Sequence, residues 1–360
     1  MSPPIVYVAI TGHGFGHATR TTAVLNEIRQ RCPDAVFLVT STAPHWLLDR
    51  QIDGPFIHRP RSLDVGVVQS DSLQMDRAAT LEKLNDLQRR SASIIASEVQ
   101  FLRQNRVTLV LADSPFLAVP IAHAADVPCW MASNFGWDFI YRDWGDDFEA
   151  IADWIADYHA QCDVLFRLPF HEPMSAFPNV VDVGLTGSQP RQDLEQLRSQ
   201  WGIVQPPERT VLMTFGGLGV NNIPYDAVQQ FPDWQFITFS SSAPSLQNLI
   251  VVKDLTLRPV DFMPLCDRIL SKPGYGTFSE ACQLKKTVCT LPRDGFAEVP
   301  LLLAGIQNYA YHQIIDSVQF FAGEWQFLSA SATPPRVSHS LDTGGNVAIA
   351  TAIVDYLSRA

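Results

Sequence analysis

His17 is the side chain in this sequence best placed to move a proton. It lies in the run Gly12-His13-Gly14-Phe15-Gly16-His17-Ala18-Thr19-Arg20, between the apolar stretch 5–11 and the segment 21–28. The first stretch reads as a buried parallel strand and the last as the body of a helix, so the glycines form a strand-to-helix turn. Such a turn brings backbone N–H groups and a helix N-terminus up to whatever binds there. An imidazole at that point has a suitable pKa for a general base, and the positive helix end disfavours its protonated form. Asp113, just after the apolar run 108–112, could orient the other ring nitrogen. The structural alternative is that His17 caps or packs its helix and that Asp113 caps the helix after its strand. His13 and Arg20 share the turn. Arg20 either pairs with a carboxylate or an anionic ligand, or is an exposed first-turn charge.

A second glycine turn, Ser271-Lys272-Pro273-Gly274-Tyr275-Gly276-Thr277-Phe278-Ser279-Glu280-Ala281, again stands between a strand and a helix. Gly274 and Gly276, on either side of Tyr275, permit close backbone approach, and Thr277 can donate from the helix N-terminus; together they suit a diphosphate. Glu280, one turn into the helix, could accept hydrogen bonds from both hydroxyls of a ribose, or be a surface charge. Gly216 and Gly217, after the strand 210–215, form a third candidate phosphate turn or a plain tight turn. Lys272 and Arg293 are the nearest cations able to offset charge on a departing diphosphate. In the stretch 134–141, Asn134 and Asp138 could bond an acceptor's hydroxyl groups. Trp137 and Tyr141, four residues apart, fit the buried face of a helix better than a ligand platform.

The string 12–20 resembles the opening of GT-B glycosyltransferase-like proteins, in particular the sugar-transferase-like N-terminal half of plant arabinokinase. It is also similar to the Gly-Gly-His loop of the family that includes the peptidoglycan glucosaminyltransferase and the galactolipid synthases. The string 271–281 resembles the donor signature of those enzymes, and 134–141 matches the arabinokinase-like group. The resemblance covers nearly all of the chain and implies an α/β fold of two Rossmann-like domains facing a central cleft. It further implies His17 as the base with Asp113 as its companion, Glu280 as the ribose ligand, and residues 292–298, with Glu298, near the donor sugar. The implied reaction moves a sugar from a nucleoside diphosphate donor, UDP-linked, to an acceptor the residues do not identify, with inversion; no Asp-x-Asp motif follows a strand, so chemistry without metal or cofactor is expected. A GT-B nucleotide-sugar epimerase and a non-catalytic nucleotide-sugar-binding protein are the alternatives. Nothing here resembles the phosphate loop of the kinase half.

These residues need a scaffold, and 360 residues suffice for two domains with substantial cores. Hydrophobic residues are 46% and charged residues 18%, a globular balance. The net charge of −11 argues against a nucleic acid or an anionic membrane as main partner, since both require a basic face. The start Met1-Ser2-Pro3-Pro4 lacks a basic leader, and no apolar run approaches the roughly 18 residues of a membrane helix. A soluble cytoplasmic protein is expected, with peripheral membrane contact left open. Six scattered cysteines without a Cys-x-x-Cys pair suggest neither zinc nor a disulfide framework.

Strand candidates at 36–40, 108–112, 129–132 and 164–168 alternate with helical segments, including a long helix over 80–106, and predict a parallel sheet covered on both faces. The pattern restarts with strands at 210–215, 235–239, 268–271 and 287–291. The expected division is a first Rossmann-like domain at 1–184, a linker at 185–208, a donor domain at 209–335, and a terminal segment at 336–360 whose helix crosses back to the first domain. Asn346 is the expected N-cap of that helix.

Overall fold

The computed structural model describes residues 3–69, 75–216 and 220–359. In the first half, β1 (Ile5–Ile10), β2 (Val36–Thr40), β3 (Ile57–Arg59), β4 (Leu109–Asp113), β5 (Cys129–Ser133), β6 (Val164–Arg167) and β7 (Val180–Asp182) form one sheet in the order β3-β2-β1-β4-β5-β6-β7. All its neighbours run parallel. The second half repeats the design. There β8 (Thr210–Thr214), β9 (Gln235–Thr238), β10 (Leu249–Val251), β11 (Arg268–Ser271), β12 (Thr287–Thr290) and β13 (His312–Ile314) form a parallel sheet in the order β10-β9-β8-β11-β12-β13.

Both sheets are doubly wound; helices occupy most of the crossovers, but none lies between β6 and β7 or between β9 and β10. The first half contains α1 (Phe15–Arg31), α2 (His45–Gln51), α3 (Arg77–Gln104), α4 (Ala118–Ala125), α5 (Trp137–Arg142) and α6 (Asp146–His159). The linker carries α7 (Leu194–Trp201). The second half adds α8 (Pro259–Phe262), α9 (Tyr275–Gln283), α10 (Glu298–Tyr309), α11 (Ser317–Phe321) and α12 (Gly345–Leu357). Central strands read as unbroken apolar runs because both faces are covered; β4 is buried at all five positions. The long helix α3 starts where Asp76 accepts a hydrogen bond from the Ala79 N–H, a side-chain cap on an otherwise unpartnered donor.

The terminal helix α12 returns to pack on α1, and Tyr356 lies against Trp130 of β5. Its start differs from the expected one. Asn346 is the second helical residue, and Asp342 instead accepts from the Gly344 N–H. Gly345 abuts the Gly184 carbonyl so closely that a Cβ would stand 2.1 Å from its oxygen, which seats the helix start directly on the linker. The Asn346 amide then bonds both the N–H and the carbonyl of Gly187.

Each sheet changes winding direction once, between β1 and β4 in the first and between β8 and β11 in the second. In doubly wound sheets ligands bind beyond the strand carboxyl ends at that reversal. The histidine turn and Asp113 occupy the first reversal; Gly216 and the turn after Ser271 occupy the second.

Candidate active site

The two reversals face each other. A Cβ on Gly276 would lie 3.2 Å from the Gly16 Cα, so the first turns of α1 and α9 meet backbone to backbone, a close approach that a side chain at 276 would push apart. Neither helix has a side-chain N-cap, and both direct uncapped N-terminal amides at the same cleft. Two helix N-termini converging on one space make it favourable for an anion.

That space is a chamber of about 100 Å³ containing His17, Lys272, Thr277, Arg293 and Glu298 at its wall. On the first-domain side, His17 Nδ1 lies 2.8 Å from Asp113 Oδ1, with both side chains buried. Asp113 thus engages the ring through Nδ1 alone, which leaves Nε2 for whatever enters the chamber that the ring lines. Asp113 also receives both arms of Arg20, Nε to Oδ2 at 2.7 Å and Nη2 to Oδ1 at 2.5 Å, and the Thr21 hydroxyl at 2.8 Å. Burial alone would raise the Asp113 pKa, but the Arg20 guanidinium and His17 outweigh it and hold the carboxyl well below the usual range. The carboxylate is therefore ionised at neutral pH and suited to hold a proton on Nδ1.

The second domain supplies positive charge. Burial and the neighbouring Arg293 pull Lys272 down to about 8, against the pull of Glu298. Two cations that repel one another in a half-enclosed space are relieved by a polyanion. Gly216 has φ 77°, and a Cβ there would come within 3.1 Å of the Lys272 Cε, so this glycine makes room for the lysine stem. Gly217 lies outside the described residues.

The structure reassigns several sequence candidates. Arg20 lines the chamber and takes the carboxylate pairing, holding Asp113, while its Nη1 donates to Asn134 Oδ1 at 2.7 Å; Asn134 is fully buried. Asp138 turns away from the chamber; it sits in the first turn of α5 and pairs with His159 Nδ1 at 2.9 Å. Trp137 is wholly buried and donates to Asp64, as the packing reading required. Tyr275 accepts from the Thr186 N–H and lies under the Arg20 guanidinium, 4.9 Å from ring centroid to Cζ. His13 stacks on Phe296 and packs edge-on against Trp137. Burial, then His17 and the two cations, hold His13 well below its ordinary pKa, so it is neutral.

A larger cavity of about 650 Å³ adjoins the chamber through Phe15, Gly16, Thr214, Gly216, Gly276 and Thr277. Glu280 belongs to this cavity, where its Oε1 accepts from the Ser188 N–H at 3.1 Å. Burial pushes its carboxyl up to about 8, with Arg258 pulling down and Asp261 up. Trp46 and Arg258, also on this wall, were not among the sequence candidates, because no local pattern connects them to a glycine turn. Ser114, next along the strand-end rim after Asp113, holds φ 72°, strained for a non-glycine residue, and bonds the oxygen of Asp113 that faces His17. Among the described residues, no cluster of three His, Cys, Asp or Glu could hold a metal ion, and no helix is long and apolar enough to cross a membrane.

No known protein-family profile matches the chain. The L-arabinokinase of Arabidopsis thaliana is 31% identical over 331 residues, which are 88% of this chain and 31% of that protein. The chain thus spans about a third of the length of that curated relative. Among solved structures, the calicheamicin glycosyltransferase superposes with a TM-score of 0.62 at 15% identity, covering 100% of this chain and 99% of that one. The fold is GT-B.

Other GT-B structures agree in extent. The UDP-GlcNAc 2-epimerase of Neisseria meningitidis, solved with UDP-GlcNAc, gives a TM-score of 0.60 at 16% identity over 98% of this chain and 100% of that one. The glycosyltransferase SnogD of Streptomyces nogalater gives 0.58 at 15% identity over 99% and 100%. In this GT-B frame, the chamber lies between the two Rossmann-like halves, where the histidine turn of one meets the cationic turn of the other.

Proposed function

We propose that this protein is a glycosyltransferase that moves a sugar from a UDP-linked donor to an acceptor hydroxyl, with inversion at the anomeric carbon. The observation that carries this reading is the placement of a buried His17–Asp113 pair directly across one chamber from Lys272, Arg293 and the α9 N-terminus. With Nδ1–H held by Asp113, His17 Nε2 takes the acceptor's proton as its oxygen attacks the anomeric carbon. The bond from that carbon to the phosphate oxygen breaks, and the electron pair leaves with the nucleoside diphosphate. Lys272, Arg293 and backbone amides meet the departing charge, so these groups take the part a divalent cation would otherwise play. Similarity to the calicheamicin glycosyltransferase supports the transferase reading, and similarity to the UDP-GlcNAc 2-epimerase supports a second one, isomerisation of the donor without an acceptor.

A thermal-shift screen of nucleoside diphosphates and nucleotide sugars identifies the donor, and mass and NMR analysis of products then separates the two reactions. Transfer gives free UDP and a glycosylated acceptor, and it persists in EDTA. An isomerised nucleotide sugar formed with no acceptor present establishes the epimerase instead, and the absence of a shift with every compound defeats both.

Glu280 provides a test of the nucleoside end of the site. Its carboxyl titrates near 8 in the free protein, whereas a ribose donating from two hydroxyls requires the carboxylate. The affinity for UDP-glucose, whose diphosphate does not titrate in this range, should therefore rise roughly tenfold or more between pH 6 and 8. In Glu280→Gln the affinity should be weaker and should not rise over this range, declining slightly toward pH 8 as Lys272 begins to lose its proton. The same raised pKa means that the folded state binds more protons than the unfolded one between the ordinary carboxylate range and pH 8. Wild-type stability from this group therefore falls as pH rises through that window, and Glu280→Gln removes the fall. Calorimetry showing pH-independent wild-type binding would dissociate Glu280 from the ribose.

A further inference from the structure

Asn134 and Glu298 complete a chain of hydrogen bonds that starts at the His17 imidazole and ends in the other domain. Asn134 follows β5 in the first half, and Glu298 opens α10 in the second. Asn134 Oδ1 accepts from Arg20 Nη1 at 2.7 Å, and its Nδ2 donates to Glu298 Oε1 at 2.7 Å. A guanidinium only donates and a carboxylate only accepts, so the amide has a single orientation. Asn134, Arg20, Asp113 and Glu298 are all buried, at 0%, 3%, 1% and 8% exposure, so water does not readily substitute for any of these bonds.

We infer that Asn134 and Glu298 form an interdomain clasp, a pair of positioning residues that fixes the His17 tautomer when the two halves are closed. The inference rests on reading His17 as the base. His17 Nδ1 is contested: Asp113 Oδ1 stands 2.8 Å away and Arg20 Nη2 3.1 Å away. The carboxylate requires a proton on Nδ1 and leaves Nε2 free to act. The guanidinium requires a lone pair on Nδ1, which places the proton on Nε2 and abolishes the base. By holding the Nη1 arm, Asn134 keeps the Nη2 arm on Asp113, and Glu298 holds Asn134 in place. Removing the clasp frees Arg20 to rotate toward the ring.

The test exchanges donor for acceptor. Asn134→Asp sets a carboxylate against the Glu298 carboxylate, which breaks the interdomain bond and, through their repulsion, draws the side chain at 134 off the Arg20 Nη1 arm. Adding Glu298→Gln restores it in reverse, with the introduced amide donating to the introduced carboxylate. Nitrogen-15 shifts of the His17 ring report the tautomer in the free protein, without substrate; the ionisable groups facing that ring are Asp113, Arg20, His13 and Asp64. Wild type and the double variant should show Nδ1–H, whereas Asn134→Asp should show a mixture with Nε2–H and a lower unfolding temperature. If Asn134→Asp does not fold, Glu298→Ala cuts the same bond from the other side and should give the same mixture. A wild-type tautomer in the single variant, or a double variant no better than the single in both readouts, overturns the clasp. The thermal-shift screen of wild type, run alongside, stands apart: no shift with any nucleoside diphosphate or nucleotide sugar would defeat the nucleotide-sugar reading and leave the tautomer result standing on its own.

Discussion

Replacing His17 by Ala lowers sugar transfer by about 10²–10⁴-fold, while UDP-glucose binds almost as it does to wild type. The two halves of this expectation come from different sides of the chamber. The ring is the only imidazole among the described residues that pairs with a carboxylate at the chamber wall, and its loss removes the acceptor for the incoming hydroxyl's proton. In the proposed reading the diphosphate and nucleoside are met instead by Lys272, Thr277, Glu280 and the α9 amides, which line the two adjoining cavities from the second domain and which the substitution does not touch. In kinetic terms kcat falls and the donor's binding constant stays, the pattern of an interaction made in the transition state rather than in the ground state. His17 also packs edge-on to Phe135, so the variant's fold is checked by circular dichroism before rates are compared. Steady-state transfer with the donor found by thermal shift decides the matter. A His17→Ala enzyme with wild-type turnover removes the proposed base, and one that also loses UDP-glucose affinity assigns the ring to donor binding instead.

The fold was legible where burial writes an unbroken apolar run. The strands β1, β2, β4 and β8 lie within a residue of their expected positions, because each is almost wholly enclosed and its sequence is correspondingly plain. No local pattern anticipates the short strands β3, β7, β10 and β13. They are three residues long and lie toward the sheet edges, and β7 is exposed at every position, so no periodicity marks them. The two glycine turns could be found from sequence because strand, turn and helix follow each other within about twenty residues. Pairing could not. Arg20 finds Asp113 across 93 residues and Asn134 finds Glu298 across 164, and nothing in the local spacing distinguishes an arginine that reaches a buried carboxylate from one that faces solvent. Asp138 illustrates the same limit, since its helix position matched a rim residue while its partner, His159, sits at the far end of the next helix.

Substituting Asp113 by Asn should damage catalysis and stability together, and this coupling separates a catalytic companion from a helix cap. Each oxygen of Asp113 has donors on it: Oδ1 faces His17 and Arg20 Nη2, and Oδ2 receives Arg20 Nε and the Thr21 hydroxyl. An amide has one oxygen, so its NH₂ must point either at His17 or at the arginine. Pointed at His17, it donates to Nδ1, moves the ring proton to Nε2 and leaves no base, a change worth about 10⁴-fold in a comparable His–Asp pair. Pointed at Arg20, it sets donor against donor. In either case a guanidinium that is 3% exposed loses its counter-charge, at a cost of roughly 3–5 kcal/mol. The pH dependence carries the sign of this pairing. The folded-state pKa of Asp113 is depressed, so its charge stabilises the fold above the ordinary carboxylate range and that stabilisation is lost as pH falls below about 4. Wild type should therefore lose stability steeply on acidification, and Asp113→Asn, already weakened at pH 7, should lose less over the same range. Denaturant unfolding of both proteins from pH 7 to pH 3 measures the difference. Parallel acid profiles would show that the carboxylate does not carry the buried pair, and near-normal transfer by the variant would reduce Asp113 to a turn residue.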